Sequence, residues 1–426
     1  MQYPHLRHTT AFIALFSLAL ASVGCSSSSS GSSGSNGSGP GDDSNGGTDN
    51  GSGATSDWVP LLEDVPMPDN NIIGSDPNLR LVIDDDDRIF AAYGYGNLEE
   101  FRAEWGVFEY EESVDGEGEI VAEWEDLGGN TPIGETRQNP VMVAGESGFS
   151  LAYHNGDERQ LVSRSYDPDS GWTAETVISA SITDFSSGDG ARHGDTRYLA
   201  IHDGDDLRIW ESEGTTLNTS PVIGPADVDD RVGYWSIAAN DEGLHLAHIT
   251  NTYPGELAVE TWSSSSWTET LTLEMPTLDG QIHRPVIAGR DSDLYLAVVE
   301  RTWDFDAPDD WVYDLVVYEI SDGDLVQLGP KLIDEVELWG IPKIELHIDE
   351  SGAPMIFWSR YEDLDAEEYY FARFENDDWS LFGGGRISDM RNRNLYASAI
   401  DSNSVPYVNY VVPATRNRVI HYTETD

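Results

Sequence analysis

The chain has 426 residues, with 78 Asp and Glu against 23 Lys and Arg, a net charge of −55 and one cysteine. At 39% hydrophobic it can still bury a core, so acidity alone does not make it disordered. Such a charge repels phosphate backbones and anionic bilayers and argues against nucleic acid as a partner. Lysine occurs only at Lys331 and Lys343.

The chain opens with Arg7 and an apolar run from Ala11 to Ala21, too short to span a bilayer as a mature helix. Ser22-Val23-Gly24-Cys25 follows: small residues before a cysteine, directly after an apolar core. This segment resembles the lipobox of bacterial lipoproteins, with Ser22 where leucine is usual. The resemblance implies cleavage before Cys25 and attachment to the membrane through lipid on Cys25. Because Cys25 is the only cysteine, it has no internal disulfide partner. Ser26 after it points, by the sorting rule of that family, to the outer membrane and cell surface. Residues 1–24 thus read as signal peptide, 25–56 as lipid anchor and flexible Ser/Gly-rich linker, and 57–426 as the folded domain.

From residue 57 one phrase recurs: an alternating apolar run, an acidic or glycine turn, then a second run ending in small and aromatic residues. It stands at Leu79–Tyr93, Pro140–Tyr153, Trp235–His248, Pro285–Val298, Ile344–Trp358 and Tyr396–Tyr410, with a weaker copy at Arg192–His202. Each phrase reads as a hairpin, and a third strand and a Trp-led fourth (Trp124, Trp172, Trp267, Trp379) follow in most units. The interval of about 50 residues suits propeller blades. The expected fold is all-β, a seven-bladed β-propeller; the poor third copy leaves six or eight blades as alternatives. The last unit lacks its fourth strand, and Asp57-Trp58-Val59-Pro60-Leu61-Leu62 resembles Asp378-Trp379-Ser380-Leu381-Phe382. The N-terminal strand is therefore expected to close the last blade.

Ser165-Tyr-Asp167-Pro-Asp169-Ser-Gly171-Trp172 resembles the Asp-box turn of sialidase-like propellers, which in that family fixes a hairpin and has no catalytic part. Arg284-Pro285 is too short a match to carry a sialidase assignment. No cofactor is expected. Calcium is the one ion for which the acidic turns Asp84–Asp87, Asp167–Asp169 and Asp203–Asp206 offer oxygens, without EF-hand spacing. The histidines show no paired zinc spacing.

Position gives the remaining signal. In a propeller, the loops from second to third strand and from blade to blade share one face around the axis. Ligand-binding candidates there are Trp303, Asp304, Trp339, Arg360, Tyr361 and Asp363. The blade starts add Arg192, His193, Tyr234, Trp235, His283 and Arg284. Aromatic rings beside carboxylates and arginines suit sugar recognition, and Asp304 with Asp363 would serve as an acid–base pair in a glycosidase. The competing reading is that the aromatics pack beneath the loops. The leading expectation is a monomeric, surface-tethered lipoprotein that binds a glycan or protein through this face. The alternatives are an extracellular glycan-active enzyme (glycoside hydrolase or polysaccharide lyase) and a structural envelope protein. The sequence names no catalytic residue.

Overall fold

The computed structural model describes residues between Ser56 and Glu424, apart from 62–63, 66–70, 73–78 and short loop stretches such as 98–101, 251–255 and 304–310. Cys25, with the leader and the linker up to residue 55, lies outside the described residues. Among the described residues the secondary structure is strand, apart from one 3-10 turn at Phe382–Gly384.

The strands form antiparallel units of four. The first blade is Leu79–Ile83, Ile89–Asn97, Arg102–Val114 and Ile120–Asp126. The fourth blade, Trp235–Asn240, Gly243–Ile249, Leu257–Ser263 and Ser266–Leu273, and the sixth, Ile344–Ile348, Pro354–Asp363, Ala366–Glu375 and Asp378–Leu381, repeat it cleanly. In the second, third and fifth blades the outer strand is split in two, as at Asp324–Gln327 and Ile333–Glu337. The innermost strands of the seven blades touch one another in cyclic order, the seventh returning to the first. The fold is a seven-bladed β-propeller. Ser56–Pro60 pairs with Arg416–Glu424, placing Trp58 opposite Tyr422, so the N-terminal strand closes the seventh blade as the sequence suggested.

The third hairpin is longer than its sequence phrase: Phe185–His193 pairs with Thr196–Asp203 across a turn at Gly194-Asp195. Its inner strand carries Gly188 and Gly190 where most other blades carry apolar residues. A Cβ on Gly190 would fall 2.2 Å from Val143 Cγ2 of the second blade, so glycine is required by close packing, and the apolar pattern is lost with it.

Both faces of each sheet pack against neighbouring blades. Between the first and second, Phe90, Phe149, Tyr153 and Val162 form one such core. Outer tryptophans tie the second, fourth and sixth blades to their predecessors by the same device. The indole Nε1 of Trp172 donates to Leu127 O at 2.9 Å, that of Trp267 to Ile223 O at 2.8 Å, and that of Trp379 to Leu328 O at 3.1 Å. The Asp-box-like turn is structural here. Asp167 Oδ1 accepts the N–H of Asp169 and of Ser170, and Trp172 packs edge-on to Phe149 and Tyr166.

Candidate functional site

An axial channel runs between the seven inner strands. Its loop-side end is a cavity of about 500 Å³ to which every blade contributes, including Arg80, Asp189, Arg284, Lys343, Glu345 and Tyr396. Its turn-side end, about 630 Å³, is lined by Asp85, Arg192, His193, Arg290 and Asp291 among others. Gly190, Ile237, Ile287, Leu346 and His347 line both cavities and mark where they meet. Either volume is in the range of small-ligand sites, roughly 300–1,000 Å³.

The chemistry of this channel follows from an unpaired edge. Each inner strand pairs on one side only, so its channel-side N–H and C=O groups need other partners. Side chains of the preceding blade supply several of them. Asp189 Oδ2 accepts the N–H of Ile237 at 2.9 Å and the hydroxyl of Ser236 at 2.8 Å. Ser236 Oγ in turn accepts the N–H of Ile287 at 3.4 Å. Glu345 Oε2 accepts both the N–H and the hydroxyl of Ser398. Arg80 reverses the polarity, donating from Nε to Pro140 O at 2.9 Å.

Burial pushes the carboxyls of Asp189 and Glu345 above their usual range, against the pull of those hydrogen bonds and of the Arg80 guanidinium. Burial likewise lowers Arg80, while Glu345 and Asp189 raise it. Lys343 lies 5.7 Å above the Tyr396 ring. His347 Nε2 lies 2.7 Å from Ser398 Oγ, and burial lowers the imidazole to about 4. Because Ser398 gives its proton to Glu345, it accepts from His347 Nε2–H, which leaves Nδ1 as the basic nitrogen.

Arg284 stands apart. Six non-glycine residues have positive φ among those described, and five are Asp, Asn or Ser in strand-joining turns. Arg284, at φ 48°, is the sixth and lies inside the strand Gly280–Arg290. The register explains it. His283 pairs with Val299 and Val286 with Ala297, so Arg284 and Pro285 together oppose one residue, a β-bulge. Among the described residues its side chain has no hydrogen-bond or ion-pair partner.

At the turn-side end Arg192 is fully engaged. Its guanidinium grips both oxygens of Asp85 at 2.7 and 2.6 Å and donates to Gly145 O and Gly194 O. His193 Nε2 lies 3.2 Å from Asp241. The expectation that Arg192 and His193 start a blade is corrected: they end the inner strand beside its turn, because that strand begins at Phe185.

Of the other candidates, Trp235 is buried in the core between the third and fourth blades, and Tyr234 is half-buried against the next core. Arg360 lies across from Glu368 in its sheet. His283, Trp303, Tyr361 and Asp363 fall on strands, and their side chains lie outside the described residues, as do Asp304 and Trp339 entirely. The sequence reading missed Arg80, Asp189, Lys343, Glu345, His347 and Ser398. Among the described residues no group of three or more His, Cys, Asp or Glu side chains is arranged to hold a metal ion.

No family model and no curated protein matches the chain. Solved structures do match. A polysaccharide lyase, PL25-ulvanlyase, aligns at TM-score 0.51 and 11% identity, covering 85% of this chain and 95% of that one. The same enzyme bound to a repeat of GlcA and Rha3S aligns at 0.50 over the same shares, again at 11% identity. The propeller domain of the Trilobed protease from Pyrococcus furiosus aligns at 0.47 and 7% identity, covering 82% and 95%. At such identities the likeness is one of fold: the chain is similar to propeller proteins that carry different functions.

Proposed function

We propose that the protein is an exported lipoprotein, anchored through Cys25 at the outer membrane and cell surface, that recognises a glycan at the loop-side end of its axial channel. One observation carries this reading. In a chain of net charge −55, three cations, Arg80, Arg284 and Lys343, meet two carboxylates, Asp189 and Glu345, in a cavity of sugar size lined by every blade. Asp189 and Glu345 serve the edge of the neighbouring inner strand, whereas Arg284 has no partner among the described residues, a feature that ring closure does not require. A polysaccharide lyase of the same fold agrees with a glycan ligand at the level of fold.

The test is the melting temperature of the full chain across neutral and acidic oligosaccharides. A ligand that binds only the native state raises it by mass action. A rise with one sugar class supports the reading, and a flat response to all of them contradicts it. For the anchor, Cys25→Ser should abolish incorporation of labelled palmitate and release the protein from the membrane fraction.

A second reading, a glycan-active enzyme, is favoured by the chain of hydrogen bonds from Glu345 through Ser398 to His347 inside the channel. It fixes the orientation of a neutral imidazole in the channel, and a bound substrate would have to raise that imidazole from about 4 for it to act as a general base. Assaying each bound oligosaccharide for shortening or for new unsaturated ends separates enzyme from binder.

A further inference from the structure

We infer that the loop-side end of the channel is an oxyanion subsite in which Arg284 receives the carboxylate or sulfate substituent of an acidic glycan. The inference rests on the glycan reading above and narrows it to one chemical class.

The backbone comes first. A side-chain-bearing residue at positive φ inside a strand is costly, and such outliers persist where the surroundings over-determine them, often at ligand sites. Here a two-against-one bulge imposes the conformation, and bulges re-aim side chains. Pro285, with no N–H to give the ladder, makes the bulge cheap in hydrogen bonds. What the bulge holds against the cavity is a guanidinium without a partner among the described residues. A planar fork of donors matches a carboxylate or sulfate two oxygens at a time, and does so better than it matches a sugar hydroxyl.

The neighbours point the same way. The two carboxylates of this cavity are already committed to the next blade, Asp189 to Ile237 and Ser236, Glu345 to Ser398. Neither carboxylate makes an ion pair with Arg284. Lys343, one of two lysines in the chain, lines the same cavity and adds to its positive charge. Arg290 supplies an internal control. It also lacks a partner among the described residues, but it lies at the turn-side end beside Asp291, on ordinary strand backbone.

The experiment is calorimetric titration of the full chain with four probes: a glucuronate oligosaccharide, a sulfated neutral oligosaccharide, its unsulfated parent, and inorganic sulfate. Wild type should prefer one acidic glycan over the neutral parent by about tenfold to a hundredfold, the worth of a charge-assisted pair. Arg284→Gln should erase that preference, Arg284→Lys should retain part of it, and Arg290→Gln should leave it unchanged, with melting temperatures showing that each variant folds. The stronger acidic arm names carboxylate or sulfate as the group received. Equal binding of acidic glycans by wild type and Arg284→Gln overturns the inference. Neutral glycans bound as well as acidic ones overturn it too, while glycan recognition survives. Sulfate bound in an Arg284-dependent way with no glycan bound keeps the subsite and removes the glycan reading. No binding of any probe removes both.

Discussion

The two ends of the channel are made by the same seven strands and are treated in opposite ways. At the turn side, short acidic turns lock blade to blade. Asp84 accepts Gly148 N–H, Asp87 accepts Ser402 N–H and hydroxyl, and Arg192 clasps Asp85 across two blades. Asp349, wholly buried, closes its own turn through three hydrogen bonds and meets Arg373 at 2.6 Å. At the loop side, a bulge spends backbone strain to hold an arginine that nothing among the described residues neutralises. Both ends tie blade to blade, but only the loop-side end also holds a strained arginine without a partner among the described residues.

That contrast can be broken first at the turn side. Asp349→Ala leaves buried donors and Arg373 without their acceptor and should lower stability by about 3 kcal/mol in denaturant unfolding, with no change in glycan preference. Midway along the channel, His347 is neutral in the folded protein at a pKa of about 4, against about 6.5 when unfolded. Between those values the unfolded chain binds the extra proton. The contribution of His347 to stability is therefore complete above pH 6.5 and is lost as pH falls toward 4. His347→Gln should remove up to about 1.4 kcal/mol per pH unit from the slope of stability over that window, measured against wild type. At the loop side the sign reverses. Arg284→Gly relieves the positive φ and should raise stability by about 1 kcal/mol while abolishing any preference for acidic glycans. The smallest effect belongs to the exposed pair: Asp85→Asn should cost about 0.5 kcal/mol, and less in high salt.

Much of the frame was legible because it repeats. Hairpin phrases, outer tryptophans and the match of Asp57–Leu62 to Asp378–Phe382 all report packing between blades, and packing obeys the period-two pattern of strands. The third blade was blurred because Gly190 serves a close contact with Val143, leaving no apolar signal. Arg284 was picked out as a blade start, but its strained backbone was not, since a bulge is a matter of register with the neighbouring strand. The rest of the channel was hidden for a different reason. Counted back from the hairpin turn, Arg80, Asp189 and Glu345 occupy the same height of their inner strands, where other blades carry Val141, Ser236, Val286 and Ala397. Within one strand each reads as an ordinary alternating polar residue. Only superposing the seven phrases shows charge recurring at one height, and only closing the ring brings those charges together.

The most direct test of the central claim is a crystal structure of the protein with an acidic oligosaccharide bound. The account predicts the carboxylate or sulfate within hydrogen-bond distance of the Arg284 guanidinium, with the sugar chain leaving through the loop-side mouth. Density for the sugar at the turn-side mouth or on the outer rim, with Arg284 untouched, would contradict it.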